Sequence, residues 1–402
     1  MVTPDLRQRE FSHVLELCTT LGVPGPSGES THFTADLQGV RLKWERHGEF
    51  SSYTFYAAGI EPAAGVDSAA FAQPAVSMLP PDWVATIPGE TIFAAHANLI
   101  GAKQAEPDPY LLTAHFYGNT VMGATIGGGT GMAFSDFKIH ADGFSRFLVF
   151  DLNFTPRQAG RMIQRLFEIE TYRMMAMLAL PVARQQSQVI VEVERSLATL
   201  TDDIARQSAA DETLLDQLTN LAAEVERCLV QSQFRFGACK AYHVLVMRRI
   251  AELREQRLVG FQTIEEFMIR RFSPAVATCA STAQRLHDLS ERVAQTSALL
   301  STRVDIVREK QNHRLLDSMN RRARLQLRLQ QTVEVISVVP ITYYVVGLLG
   351  YLSRALHAAG SSIEPDLAEG IAIPVVAGLV IWVVRRAHHQ LAGKHSAEEL
   401  DL

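Results

Sequence analysis

The sequence predicts an α+β N-terminal domain with a mainly antiparallel sheet, then a long-helix α-helical domain, then a C-terminal two-helix transmembrane hairpin. Three observations carry that prediction. Glycine and aromatic residues crowd into short runs before Thr155, and runs that alternate apolar with polar residues mark half-buried strands. From Pro156 glycine becomes scarce, and Ala, Leu, Glu, Arg and Gln recur at helical spacing. Near the C-terminus two apolar runs are bracketed by arginine. The expected parts are 1–155, the α+β domain; 156–333, a helical, coiled-coil-like domain; 334–386, the membrane hairpin; and 387–402, a cytoplasmic tail.

The opening Thr3-Pro-Asp-Leu-Arg-Gln-Arg-Glu is polar and unlike a signal peptide, and Phe11 to Val23 reads as an amphipathic helix. In Val40–Glu45, Val40, Leu42 and Trp44 alternate with Arg41, Lys43 and Glu45. Ser52–Tyr56 alternates too, and His47-Gly48-Glu49 supplies a turn, so a hairpin is expected. Further strands are expected at Ile92–Leu99, Leu111–Tyr117, Val121–Ile126, Met132–Phe137 and Phe144–Phe150. Ala57–Pro81 reads as loop plus a short helix.

Thr155-Pro156 is an N-cap followed by proline at the first helical position. Helices are expected at 156–179, 182–208, 211–257 and 261–272, then a long one from Pro274. A stripe through Leu289, Val293, Thr296, Leu300, Val304, Val307, Gln311, Leu315, Ser318, Arg322, Leu325 and Leu329 keeps spacings of three and four, compatible with coiled-coil packing on a neighbour or a second copy, while its polar members argue against a long, dry two-stranded zipper. The run Met174–Ala183 contains Pro181 and is too short to span a bilayer, so it reads as core. Cys228 and Cys239 stand about 16 Å apart on a helix at about 1.5 Å per residue, too far for a disulfide. With Cys18 and Cys279 they form no CxxC pair, and the four read as reduced packing thiols.

Val335–Leu352 carries no charged residue, and a span needs about 20 apolar residues. Tyr343 and Tyr344 lie in this span, and Tyr351 near its end fits an interfacial aromatic belt. The second run, Ile371–Val384, spans only if Arg385 and Arg386 snorkel, with Trp382 at that interface. Arg321, Arg322, Arg324 and Arg328 precede the first span, and Arg385, Arg386 and Lys394 follow the second. Both termini are therefore expected on the cytoplasmic side of a bacterial inner membrane. The helix from Pro274 is expected to run unbroken past Val335 and to kink at Pro340, with Ser337 and Thr342 helping to satisfy the freed carbonyl.

Net charge is −5, from 38 Lys+Arg and 43 Asp+Glu. No global positive field argues for nucleic acid, and the expected partners are the lipid bilayer and a second copy through the long helices. Five polar groupings invite a functional reading. Glu45, His47 and Glu49 would share one face of an extended strand and suit a divalent metal or acid–base work. The bland alternative is a hairpin tip with a buried Trp and ion pairs. Asp136, His140, Asp142 and Arg146 form a second cluster, expected to share a cleft with the first at one sheet edge; turn capping is its bland alternative. Ile126–Gly131 is glycine-rich but matches neither phosphate-loop pattern, and reads as a loop between strands. Glu168, Glu170, Tyr172 and Arg173 share one helix with Met174, Met175 and Met177, Glu170 and Arg173 being i,i+3 neighbours. Glu334 abuts the first span and would ring a pore mouth only in an oligomer. No Ser-His-Asp order, HExxH or nucleophile elbow is present, and no cofactor is indicated.

Four strings carry a family resemblance: Leu42-Lys-Trp-Glu-Arg-His47 with Glu49-Phe50, Asp136-Phe137 with His140–Phe144, Glu168–Met175, and Gln326–Glu334 leading into Tyr343-Tyr344. Across nearly its whole length the chain resembles a bacterial family catalogued as domain of unknown function 3422, described as predicted membrane-anchored proteins. The resemblance implies an anchored architecture and no particular activity. Members usually carry an upstream His-Ala-Arg-Pro segment that is missing here; either the start is truncated or that element is absent, and the sheet is expected to lack an edge strand. In layout alone the chain also resembles the CorA magnesium-channel family, but Val346–Tyr351 stands where that family has Gly-Met-Asn. The expected role is a structural or interaction protein. The alternatives are a CorA-like two-span cation conduit and a metal-dependent enzyme using the N-terminal His, Asp and Glu clusters.

Overall fold

The computed structural model describes residues 3–28, 30–59, 70–101, 112, 114–358, 366, 370–383 and 386. The chain divides into two units, Met1–Leu300 and Ser301–Leu402. In the first unit, α1 (Pro4–Thr20) starts where the Thr3 hydroxyl accepts from the Leu6 N–H, the usual way to satisfy an orphan helix donor. It lies in one core with a three-stranded antiparallel sheet, β1 (His32–Asp36), β2 (Val40–Arg46) and β3 (Ser51–Ala57). The alternation of β2 decides its orientation: Val40, Leu42 and Trp44 are buried, whereas Lys43 and Glu45 stay part-exposed. The pairing Trp44↔Tyr53 and Leu42↔Phe55 fixes the hairpin register. The chain turns at His47–Phe50, as expected.

A second sheet has the order β4-β7-β6-β5-β8: β4 (Ala95–Gly101), β5 (Met122–Ile126), β6 (Gly131–Ser135), β7 (Ser145–Asp151) and β8 (Gln256–Arg257). The strand-rich part therefore holds two sheets rather than one. All pairs are antiparallel except β4 with β7, which is parallel. The expected strand at Leu111–Tyr117 is a correction: Leu112, Ala114 and His115 are helical, and a turn follows at Phe116–Gly118. β5 and β6 join through the glycine loop, where Gly127, Gly128 and Gly129 all take positive φ, a backbone state that glycine enters without steric cost. The sheet is buried on both faces, one by the core that holds Ala133 and Val149, the other by the core that holds Met132, Phe134 and Leu148.

Four helices complete this unit's architecture. They are α2 (Pro156–Met177), α3 (Ala179–Arg206), α4 (Asp211–Leu253) and α5 (Ile264–Arg271). Thr155 caps α2, and Gln207 in the left-handed region ends α3. Met175, Ala176, Ala179 and Ala183 are buried while Leu178 and Pro181 are exposed, so one face of the apolar Met174–Ala183 run belongs to the core. Helix α6 (Ser273–Ala358) begins inside the unit, and its Leu286, Leu289, Val293 and Leu300 share a core with α3 and α4. The stripe thus packs within the body over its first part. The four cysteines are buried and free.

In the second unit α6 continues without interruption through Pro340. From Asp305 to Gln330 it is exposed on every side, Leu315, Leu325 and Leu329 included, so the described residues hold no coiled-coil partner there. Its segment Ile336–Ala355 is 20 residues long, has mean hydropathy 1.6 and is only 6% buried; it is the one described helix long and apolar enough to cross a membrane. The second apolar run is α7 (Gly370–Val383), shorter than a span. The hydroxyls of Ser337 and Thr342 donate to the carbonyls of Val333 and Val338, so neither serves the carbonyl four residues before Pro340. The side chains of Glu334 and Val335, and Arg385 as a whole, lie outside the described residues.

Candidate functional site

The β2–β3 hairpin and α2 line a solvent-open cavity of about 100 Å³. Strand alternation sends Lys43 and Glu45 into it from one wall, where the ammonium and the carboxylate pair at 2.8 Å. Helical spacing aligns Gln164, Phe167, Glu168, Thr171 and Tyr172 on the other. His47, stacked on Phe50 at 4.4 Å between centroids, closes one end. Glu168 is held from both sides: Gln164 donates to Oε1 at 2.7 Å, and Arg249 bonds Oε2. Burial pushes the Tyr172 hydroxyl above its ordinary pKa, and the carboxylates of Glu168 and Glu45 add to that against the opposing pull of Arg249.

Sequence spacing grouped Glu45, His47 and Glu49; the structure keeps Glu45 and His47 at the cavity but turns Glu49 away from it. Strand β2 ends at Arg46, so His47 and Glu49 belong to the turn. Glu49 faces α4 instead, accepting from Tyr242 Oη at 3.2 Å and pairing with Arg235 at 3.4 Å. Burial, then the Glu49 carboxylate, pushes Tyr242 up to about 12. Among the described residues no three His, Cys, Asp or Glu side chains stand close enough to hold a metal ion. The metal reading of Glu45, His47, Glu49, His140 and Asp142 gains no coordination geometry.

The second cluster does assemble, at the end of the five-stranded sheet where β6 finishes and β7 and β4 begin. Asp136 is fully buried and accepts from Asn119 Nδ2 at 2.8 Å and from the Lys138 N–H at 3.2 Å, with His140 Nε2 at 3.1 Å. Arg146, 8% exposed, lies between the rings of Phe71 and Tyr117. Its Nη2 reaches Asp142 Oδ2 at 3.4 Å. Burial raises Asp142, but the Phe144 N–H and Arg146 outweigh it and hold the carboxyl below the usual range. His96 stacks on Phe144, and burial, with the nearby Arg146, keeps its pKa low despite Asp142. This cluster belongs to a different sheet from the cavity and contributes none of its lining, so the expected shared cleft is corrected to two separate sites.

The sequence profile of a family described as Protein of unknown function (DUF3422) matches residues 1–391. The chain belongs to this family. No curated protein and no solved structure matches it. Three of the four strings that carried the resemblance contribute to the geometry above: Leu42–Phe50 and Glu168–Met175 meet at the cavity, and Asp136–Phe144 forms the sheet-end cluster.

The other candidates of this DUF3422 chain resolve individually. Arg173 grips the buried Glu170 with two bonds of 2.6 and 2.7 Å, a structural pair. The Ile126–Gly131 loop closes on itself, Thr130 Oγ1 donating to the Gly127 carbonyl at 3.1 Å. Tyr343, Tyr344, Tyr351, Ile371 and Trp382 are exposed on the apolar helices, and the Arg386 guanidinium lies 5.0 Å from the centre of a Trp382 ring. Sequence reasoning missed Arg249 and Tyr242, which stand 81 and 193 residues from the Glu168 and Glu49 that they bind. It also missed Asn119 beside Asp136. Separations of that size leave no local pattern to read.

Proposed function

We propose that this DUF3422 protein is a membrane-anchored structural or interaction protein whose folded body sits at the cytoplasmic face of a bacterial inner membrane. The observation that carries the reading is Ile336–Ala355, a long apolar helix segment with almost nothing buried. An exposed apolar helix of this length is costly in water and stable in hydrocarbon. Arg321, Arg322, Arg324 and Arg328 precede it within one exposed stretch, the charge bias that keeps a flank inside. In the same reading α7 returns through the bilayer, lengthened by its flanks, with Trp382 and Arg386 at the inner interface. The exposed Leu315, Leu325 and Leu329 then offer a face on which a second copy packs.

Fractionation of the full chain with alkaline extraction tests anchoring, and labelling of Ser362→Cys in intact and opened cells tests topology. Retention in the membrane pellet, with Ser362→Cys reached from the outer side, is expected. Release into the soluble fraction would overturn the anchor. Labelling from the cytoplasmic side alone would show that Ile336–Ala355 does not carry the chain to the outer side, and would overturn this topology.

A further inference from the structure

We propose that the cavity between the β2–β3 hairpin and α2 binds a small organic ammonium ion. The inference goes beyond membrane anchoring and does not rest on it, because every lining residue lies within the first unit.

The chemistry of the walls selects the ligand. The carboxylates of Glu45 and Glu168 both face this space, and four rings, Phe50, Tyr56, Phe167 and Tyr172, line it with them. Ring faces and carboxylates together suit an organic cation, which is drawn to both. The cavity already holds one ammonium, since Lys43 Nζ sits on Glu45 at 2.8 Å. That lysine is part-exposed, so its flexible stem can withdraw toward solvent and hand its place to an incoming amine. Glu168 is fixed by Gln164 and Arg249 through one bond to each oxygen, which leaves lone pairs for a further donor. The hydroxyls of Ser52, Thr54 and Thr171 stand around the same space and can accept from the remaining N–H groups.

The rival ligands fit less well. A bare divalent cation wants several oxygen ligands at once, and no three metal-ligating side chains gather among the described residues. An anion would meet the carboxylates of Glu45 and Glu168, and the cations beside them, Lys43 and Arg249, are already engaged with those carboxylates.

The test uses the full chain in detergent, titrated with ethylammonium and butylammonium chloride at constant ionic strength, by calorimetry and ligand-observed NMR. Butanol and acetate serve as neutral and anionic controls. Saturable millimolar binding of the amines is expected, with no competition from either control. Glu45→Gln should weaken binding about tenfold, a loss of about 1.4 kcal/mol, and Lys43→Met should strengthen it by vacating the seat. Thermal melts of both variants establish that they fold. Because Glu168 also supports the fold through Arg249, the Glu45 and Lys43 variants are the deciding ones. Absence of saturable binding overturns the proposal, as does equal binding of butanol or acetate, or amine binding indifferent to both substitutions.

Discussion

Arg173 and Arg146 are both buried arginines, and they are satisfied very differently. Arg173 closes two short bonds on Glu170, the geometry in which a desolvated guanidinium is best compensated. Arg146 makes contacts of 3.4 to 3.5 Å with His115, Tyr117 and Asp142, and its Nε has no hydrogen-bond partner among the described residues, so stacking against Phe71 and Tyr117 takes over much of the role of hydrogen bonding. The first pair was legible from i,i+3 spacing; the second arrangement was legible only as a cluster, since its aromatic walls come from elsewhere in the chain. A third residue, Glu255, makes a pH prediction. Its carboxylate accepts from the Ile264 and Glu265 N–H groups at the start of α5. Burial, reinforced by Glu265 and Glu266, outweighs those bonds and raises its pKa from 4.5 to about 7. A carboxyl whose folded pKa is raised favours the native state while protonated. Its contribution is therefore fully present below about pH 4.5 and is lost as pH rises through about 7. A shift of that size corresponds to about 3 kcal/mol. Glu255→Gln, permanently neutral, should flatten the fall in stability between those two pH values. Urea midpoints across the range would show it, and parallel curves for the two proteins would contradict it.

At the scale of elements, legibility followed burial. The β2–β3 hairpin has one buried face, so its alternation was visible and its bounds were read within a residue or two. Strands β5 and β6 are buried on both faces. Gly131-Met-Ala-Phe-Ser135 therefore shows no period, as expected of a strand covered on two sides, and the expected strand ran on to Phe137. The two-residue β8 carries no signal at all. Helix α6 shows the converse: one apolar stripe runs along it in the sequence, yet its surroundings change at the end of the first unit. Leu289 is buried against α3 and α4, whereas Leu315 is 62% exposed. Leu289→Ala should destabilise the body by about 2–5 kcal/mol through lost burial and a residual cavity. Leu315→Ala should leave the same unfolding transition within about 0.5 kcal/mol and act only on self-association. Denaturant unfolding followed by tryptophan emission, with sedimentation for the oligomeric state, separates the two effects. An equal loss for both leucines would mean that the stripe packs as one continuous interface.

For the whole molecule, the change of composition at Pro156 was the clearest mark in the sequence, yet it separates elements that fold together. Helix α2 buries Met162, Leu166 and Ile169 in the core that also takes Ala133 and Val149 from the five-stranded sheet. The edge strand of that sheet is supplied by Gln256–Arg257, from beyond α4. Composition reports the local conformation of a segment, whereas a shared core is a long-range property that no window along the chain displays. Every buried member of the four hydrophobic cores lies at or before Leu300. Hydrophobic burial is the main favourable term in folding, so a fragment of residues 1–300 should contain what it needs to fold. It should give a single cooperative thermal transition and remain in the aqueous phase on detergent partitioning, while the full chain follows the detergent. The cut falls inside α6, but the residues removed from that helix add no buried member to any of the four cores. Loss of cooperative unfolding in the fragment would show that the body depends on the segment after Leu300. Aqueous partitioning of the full chain would instead count against the proposed membrane role of Ile336–Ala355, so the two arms of one experiment separate the stability of the body from that proposal.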